Sequence, residues 1–142
     1  MKSKLILTCA MLAILLSLCA CSSEVSVDAS CDDFMELRAI SKEVKVPADG
    51  SLTVTLCSNP TTGFQWGSSQ ITDQTVLEQV DHKFVPPEAK GNRPPPPGTP
   101  GKEVWTFKAL KKGTCTISME YSQPWEGGEK ANWTFVLTVV VK

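Results

Sequence analysis

The chain has 142 residues, of which 42% are hydrophobic and 20% charged, and its formal net charge at pH 7 is −1. This length predicts one domain with a two-layer core, which we expect to be a monomer. A chain without a basic excess is not typical of nucleic-acid binding, so no nucleic-acid partner is expected.

The N-terminus has the pattern of a secretory signal. Lys2 and Lys4 precede an apolar run over residues 5–20 that is short for a membrane span. The run ends in Leu18-Cys19-Ala20-Cys21, which is typical of a lipobox. We therefore expect a signal peptide over residues 1–20 and lipid on Cys21, as in an exported bacterial or archaeal lipoprotein anchored to the membrane with its domain outside the cytoplasm. A signal peptide that is cleaved nearby without lipidation is the alternative.

The segment after the signal gives weaker indications. Loss of the two leader lysines changes the net charge to −3. Residues 21–32 are polar and lack an obvious period, which predicts a tether before a domain over residues 33–142. Met35, Leu37 and Ala39 then recur at a spacing of two, which favours a broken strand or two short strands. The turn residues 47–50 would fold this region back onto the next strand as a hairpin.

The next stretch is a clear strand followed by a shaped loop. Residues 51–56 alternate between polar and apolar, with the even-numbered side chains facing the core. The sequence Asn-Pro-Thr-Thr-Gly-Phe-Gln-Trp follows at residues 59–66, and its proline ends the strand. Gly63 can adopt a positive φ, so Thr61 and Thr62 would lie at the tip of a tight loop. Phe64 and Trp66 would anchor the strand that follows.

The phases of two strands predict the state of the cysteines. An exported compartment permits disulfides, and Cys21 is used by lipid in the lipoprotein interpretation. Cys57 has the odd phase in a strand whose core positions are even, so it points away from the core. Cys115 shares the odd apolar phase of residues 114–121 and points inward. We therefore expect a Cys31–Cys57 disulfide and a buried, unpaired Cys115 thiol.

The middle of the chain combines a short strand with a long loop. A strand is favoured at residues 76–82, and His82 is interpreted as a surface residue. Residues 84–102 are rich in proline and glycine, including four consecutive prolines at 94–97. This composition excludes a central strand and favours a stiff projecting loop. A linker between two domains is the alternative, but the flanking pieces are small for independent folding.

Two further loops carry distinctive residues. Gly98-Thr99-Pro100-Gly101 precedes a strand, and Gln123-Pro124-Trp125 precedes a glycine pair before the last strand at residues 133–141. A tryptophan on such a loop would provide a rigid contact surface of the type enriched at binding hot spots. Alternatively, Trp125 folds back onto the domain.

Together these three loops resemble the signature loops of the chagasin family, inhibitors of papain-like cysteine peptidases, over roughly residues 44–142. The family typically has Gly-x-Gly-Gly in the second loop and Arg-Pro-Trp in the third, where this chain has Pro100 and Gln123. The resemblance implies an all-β, immunoglobulin-like sandwich of about seven to eight strands. It also implies reversible, non-covalent inhibition by three loops that plug the active-site cleft, with Thr61 and Thr62 nearest the nucleophile. The implied contact residues are Asn59, Pro60, Thr61, Thr62, Gly63, Phe64, Gly98, Thr99, Pro100, Gly101, Gln123, Pro124 and Trp125.

The sequence gives no indication of catalysis. A single histidine and the lack of paired metal-ligand motifs predict a protein that is not an enzyme and has no cofactor or metal. The alternative function is a cell-surface adhesion or cell-wall carbohydrate-binding module on the same scaffold, in which Trp125 would stack on sugar rings. The threonine-tipped loop distinguishes the two hypotheses, because a sugar binder does not need it.

Overall fold

The described part of the chain is a two-sheet β-sandwich, which confirms the predicted fold class. The computed structural model describes residues 23–142, so the predicted signal peptide and the predicted lipidation site at Cys21 lie outside the described residues. The elements are β1 (Glu24–Ala29), α1 (Cys31–Leu37), β2 (Ala39–Val46), β3 (Ser51–Ser58), a 3-10 turn (Pro60–Thr62), β4 (Gln65–Trp66), β5 (Gln70–Ile71), β6 (Leu77–Val85), β7 (Gly101–Ala109), β8 (Gly113–Ser122) and β9 (Trp133–Val141). No helix in residues 23–142 is long and apolar enough to cross a membrane.

The two sheets bury the alternating apolar positions that the sequence indicated. One sheet has the strand order β1-β3-β7-β6, and the other has β2-β9-β8-β4, with β5 also paired to β8. Leu52, Val54 and Leu56 on β3 have no exposed surface, and neither has Ile117 on β8. The even-numbered side chains of β3 and the odd-numbered side chains of β8 therefore face each other across one core.

Strand register brings the three predicted loops to one end of the sandwich, called here the loop-bearing end. Ser58 at the end of β3 pairs with Gly101 at the start of β7. Tyr121 near the end of β8 pairs with Trp133 at the start of β9. The backbone N–H of Asn59 donates to the Tyr121 hydroxyl at 2.7 Å, which places the ends of the two sheets together.

The prediction of a tether over residues 21–32 is wrong for its described part. Val25, Val27 and Ala29 alternate with polar residues, and β1 pairs in parallel with β3 from Glu24 to Ala29. The apolar period of two was therefore present in the sequence, over only six residues. The predicted domain start at residue 33 moves to the beginning of this strand.

The expectation of strands over residues 33–38 and of a hairpin onto β3 is also wrong. Ser30 caps α1 by accepting from the Asp33 amide at 3.2 Å, while the Asp33 carboxylate accepts from the Ser30 amide at 2.8 Å. This reciprocal capping box favours a helix over a strand. The Ser30 hydroxyl also donates to Asp33 Oδ2 at 2.7 Å, and this bond, together with that from the Ser30 amide, holds the pKa of Asp33 below its usual value. β2 then pairs in parallel with β9 in the opposite sheet rather than with β3.

The predicted cysteine pairing agrees with the structure, although Cys57, which was expected to point away from the core, is only 4% exposed. Cys31 at the start of α1 is bonded to Cys57 on β3, with Cα atoms 5.1 Å apart. Cys115 is unpaired and 2% exposed. Burial raises the pKa of the Cys115 thiol, so the thiol stays protonated and unreactive at neutral pH.

A buried carboxylate joins three strands of one sheet near the loop-bearing end. The Ser58 hydroxyl donates to Glu103 Oε1 at 2.7 Å, and His82 Nε2 lies 2.7 Å from Glu103 Oε2. The His82 ring also stacks on Trp105, with centroids 4.6 Å apart. Both carboxylate oxygens thus have partners, as burial of a charged group requires. His82 is exposed, as expected, and its ring also has a structural role through its contacts with Trp105 and Glu103.

The disulfide should contribute much of the stability of the N-terminal segment. We expect Cys31→Ser to lower the free energy of unfolding by about 2–5 kcal/mol, because it removes a crosslink that constrains the unfolded chain. Cys115→Ala should cost less, since it removes only one buried sulfur. Denaturant unfolding measures both values, and a Cys57–Cys115 link in unreduced peptide maps would contradict the assignment.

Candidate functional site

Loop 1, residues 59–64, is a single helical turn rather than an extended segment. The Thr62 amide donates to the Asn59 carbonyl at 3.1 Å and the Gly63 amide to the Pro60 carbonyl at 3.0 Å. Gly63 ends the turn with φ +79°, a value that a residue with a Cβ rarely adopts. Thr61 and Thr62 are exposed at the tip, where the sequence placed them.

Both threonine hydroxyls stabilise the turn that carries them. Thr61 Oγ1 donates to Asn59 Oδ1 at 2.6 Å, and Thr62 Oγ1 donates to the Asn59 carbonyl at 2.7 Å. Asn59 therefore organises the tip through both its side chain and its backbone. The local side-chain bonds fix the loop in the absence of a partner.

Aromatic side chains support the base of loop 1. Phe64 and Trp66 lie 5.6 and 5.1 Å from the Tyr121 ring, between ring centroids. The Trp66 indole donates to the Cys57 carbonyl at 2.9 Å. Since Tyr121 also accepts from the Asn59 amide, one buried ring supports both ends of the loop. The predicted anchoring role of Phe64 and Trp66 agrees with these contacts.

Loop 2, residues 98–101, contacts loop 1 directly. Asn59 Nδ2 donates to the Gly98 carbonyl at 3.0 Å. Gly98 has φ +81°, and Thr99 Oγ1 donates back to the Pro96 carbonyl at 2.6 Å. Pro100 is exposed, whereas Gly101 is buried as the first residue of β7. Gly101 therefore belongs to the scaffold beneath the loop rather than to its surface.

Loop 3, residues 123–128, brings Trp125 against loop 1. A Cβ atom placed on Gly63 would lie 2.6 Å from Cη2 of the Trp125 ring, so the ring rests directly on the glycine. The ring is still 51% exposed. Trp125 is thus held in position without being buried, which agrees with the rigid contact surface expected from the sequence and not with a ring folded into the domain.

Hydrogen bonds within loop 3 hold the backbone beneath the tryptophan. Gln123 Oε1 accepts from the Glu129 amide at 3.0 Å. Lys130 Nζ donates to the Trp125 carbonyl at 2.9 Å, and the Gly128 amide donates to the same carbonyl at 3.1 Å. Gln123 therefore uses its side chain to close the loop. Pro124 is exposed beside the tryptophan.

The three loops form one continuous ridge, defined here as the surface of loops 1, 2 and 3. Loop 1 is its centre, because Asn59 bonds to loop 2 and Gly63 supports the tryptophan of loop 3. No group of three or more histidine, cysteine or acidic side chains in residues 23–142 could hold a metal ion. The ridge offers hydroxyls, backbone groups and an aromatic face, which suit the binding of another protein.

Comparison with known proteins identifies the family. The model of the chagasin family peptidase inhibitor I42 matches residues 45–139. This chain belongs to that family of peptidase inhibitors. It is 33% identical to amoebiasin-2 from Entamoeba histolytica over 91 residues, which cover 64% of this chain and 70% of that protein. It is 31% identical to chagasin from Trypanosoma cruzi over 77 residues, which cover 52% of this chain and 66% of chagasin.

A solved structure has the same fold. The cysteine protease inhibitor EhICP2 from Entamoeba histolytica superimposes with a TM-score of 0.62 at 21% identity, covering 84% of this chain and 97% of that one. The family match shows a peptidase inhibitor rather than an enzyme. The match over residues 45–139 includes the three loops but begins after α1 and most of β2.

The sequence did not indicate that α1 lies beside the ridge. Cys31, Asp32 and Met35 line one groove together with Thr62 and Phe64 of loop 1. The capping sequence from Ser30 to Asp33 was the signal for the helix, and the Cys31–Cys57 bond was the signal for its position. Neither signal alone placed the helix at this end of the sandwich.

The contact between Gly63 and Trp125 should be essential to the shape of the ridge. Gly63→Ala combines an unfavourable φ, which costs about 1–3 kcal/mol, with a Cβ that displaces the tryptophan ring. We expect peptidase inhibition to weaken by roughly tenfold or more, equivalent to about 1.4 kcal/mol. Inhibition constants and melting temperatures measure the two effects separately.

Gly91→Ala is the matched control for this change. Gly91 also has a positive φ of +63°, but no atom lies within 4 Å of its Cβ position. It should lose some stability and keep full inhibition. Equal inhibition by both variants would show that the position of Trp125 does not depend on Gly63.

Proposed function

We propose that this protein is a reversible, non-covalent inhibitor of papain-like cysteine peptidases whose ridge plugs the active-site cleft. The observation that carries the proposal is the contact of all three loops through loop 1, by the Asn59–Gly98 hydrogen bond and the Gly63–Trp125 contact. One matched protein supports the target class, since EhICP2 is a cysteine protease inhibitor.

The conformation of loop 1 explains how it could occupy a cleft without being cut. Hydrolysis requires a carbonyl carbon aligned with the attacking sulfur. In loop 1 the carbonyls of Asn59 and Pro60 accept hydrogen bonds from Thr62 and Gly63, so they turn into the loop. The exposed side of Thr61 and Thr62 would then face the nucleophile, with the carbonyls of Asn59 and Pro60 held away from it.

Preorganisation would supply much of the affinity. The threonine hydroxyls, the Asn59 amide and the Trp125 carbonyl all have partners in the unbound protein. Ordering loops on binding costs free energy, and a ridge that is already ordered avoids most of that cost. Trp125 would contribute as an exposed aromatic hot spot held by loop 3.

We further propose that the protein is exported as a lipoprotein, with a diacylglycerol group on Cys21. The sequence Leu18-Cys19-Ala20-Cys21 supports this, and it lies only three residues before β1. β1 runs parallel to β3 and towards the ridge, so its start lies at the opposite end of the sandwich. An anchor there would leave the ridge facing away from the membrane.

Direct inhibition tests the first proposal. Residues 23–142, without lipid, should inhibit papain reversibly and remain uncleaved after long incubation with the enzyme. Progress curves and mass spectrometry of the recovered inhibitor measure these two properties. A lack of inhibition of papain and cathepsin L by micromolar protein would contradict the proposed function.

Trp125→Ala identifies the ridge as the binding surface within the same experiment. Loss of a hot-spot side chain costs about 2 kcal/mol or more, so the inhibition constant should rise by roughly thirtyfold. The melting temperature should barely change, because the ring is half exposed. Unfolding of this variant would show instead that Trp125 is part of the core.

The anchor proposal predicts a change in cell fractionation. Wild-type protein expressed in a bacterial host should appear in the membrane fraction and incorporate labelled palmitate. Cys21→Ser should abolish the label, because Cys21 is the residue that the lipobox pattern places at the lipidation site. Cys19→Ser is the matched control and should retain both the label and the membrane location. Labelling of Cys21→Ser would place the modification elsewhere.

A further inference from the structure

We infer that α1 is a fourth contact element for the peptidase, and that Met35 and the adjoining groove receive an apolar side chain from the rim of the peptidase cleft. This rests on the proposed function. The groove has a volume of about 450 Å³ and separates α1 from loops 1 and 2. Its walls include Met35 from the helix, Thr62 and Phe64 from loop 1, and Pro100 from loop 2.

The helix is fixed beside the ridge by covalent and packing contacts. The Cys31–Cys57 bond ties its first residue to β3, two residues before loop 1. Phe34 is fully buried, with its ring 5.1 Å from the Trp133 ring in a stacked arrangement and 5.2 Å from the Trp66 ring. Trp66 and Trp133 also contact Tyr121 beneath loop 1, so the helix and the ridge pack on the same aromatic cluster. The helix is therefore already ordered before binding.

Met35 is the unusual feature of this fixed helix. Its side chain is 66% exposed, the highest value among the large exposed hydrophobic residues of the described chain. Methionine is flexible and polarizable, so it adapts to irregular partner surfaces. An exposed methionine at the edge of an apolar groove is typical of an interaction surface rather than of a solvated helix face.

Distances place the groove within the expected footprint of a peptidase. The Cα atoms of Cys31 and Cys57 are 5.1 Å apart. Two further residues lead to Asn59, so the start of α1 lies within roughly 13 Å of loop 1. Peptidase–inhibitor complexes bury about 800 Å² on each partner, equivalent to a disc of about 16 Å radius. A cleft that encloses loop 1 would therefore bring its rim to the groove, whose wall loop 1 partly forms.

The helix lies outside the part of the chain that the family model matches. The family match begins at residue 45, after α1 has ended. The three loops would inhibit papain-like peptidases in general, because they enter the active-site cleft. α1 would add contacts to the rim of that cleft, which varies more from one peptidase to another. The helix is therefore expected to affect selectivity among peptidases more than the ability to inhibit.

Charge substitution of Met35 provides the test. Residues 23–142 carrying Met35→Glu should inhibit papain or cathepsin L roughly tenfold less strongly than wild type, because a charge replaces the apolar contact. Met35→Leu keeps an apolar side chain of similar volume and should stay near wild type. Melting temperatures should be equal within this set, since position 35 is exposed.

Leu37→Glu is the matched control on the same helix. Leu37 is 60% exposed, but it lies two positions along and does not line the groove. It should inhibit as well as wild type. Equal inhibition by Met35→Glu and wild type overturns the inference while leaving the proposed function intact. An equal loss in both glutamate variants also overturns it, because the effect would then come from helix charge. If wild type inhibits neither peptidase, the proposed function and this inference both fail.

Discussion

The hydrogen bond from the Asn59 amide to the Tyr121 hydroxyl joins the binding ridge to the core. Tyr121 is 2% exposed, and its ring stacks on Trp133 with centroids 4.7 Å apart. Trp66 and Phe64 pack on the same ring. A buried hydroxyl needs a partner, and here the partner is the first backbone group of loop 1. The hydrogen bond that satisfies the Tyr121 hydroxyl thus also fixes Asn59, the residue whose side chain bonds to loop 2.

This arrangement makes the ridge an extension of the core rather than a set of independent loops. Asn59 bonds to the core through its amide, to loop 2 through Nδ2 and to Thr61 through Oδ1. Gly63, four residues on, supports Trp125. Moving any one loop would therefore disturb at least one contact of loop 1. Such coupling suits a surface that must keep one shape while it fills a cleft.

The N-terminal segment reinforces the same end of the sandwich. β1 runs towards the ridge beside β3, α1 crosses there, and β2 returns beside β9 in the opposite sheet. One continuous segment thus connects the edges of both sheets. The Cys31–Cys57 bond and the buried Phe34 ring lie at the crossing. Both stabilise the helix at the point where the ridge begins.

The sequence was most informative where a period was long and unbroken. The alternation in β3 and β8 predicted which side chains face the core, and the difference in their phases predicted the state of Cys57 and Cys115. The three loops were recognisable from their own residues. Their mutual contacts were not, because the Asn59–Gly98 and Gly63–Trp125 contacts depend on how strands distant in sequence align.

The sequence was least informative at the N-terminus, for physical reasons. β1 is six residues long, and the seven residues of α1 complete only two helical turns. Over such lengths, apolar residues at 35, 37 and 39 match a strand as well as a helix. The parallel pairing of β2 with β9 joins residues almost a hundred positions apart. No local pattern distinguishes that pairing from the shorter hairpin that was expected.

The direction of β1 also bears on how an anchored inhibitor would meet its target. Three residue steps from Cys21 to Glu24 span at most about 11 Å, so lipid on Cys21 would hold the domain close to the bilayer. The eight residues of β3 span about 26 Å from the end of the sandwich where β1 starts to loop 1. The ridge would then stand beyond the headgroup region and face outward. A peptidase could approach from solution without contacting the membrane, whereas an anchor at the other end of the sandwich would press the ridge against the lipid.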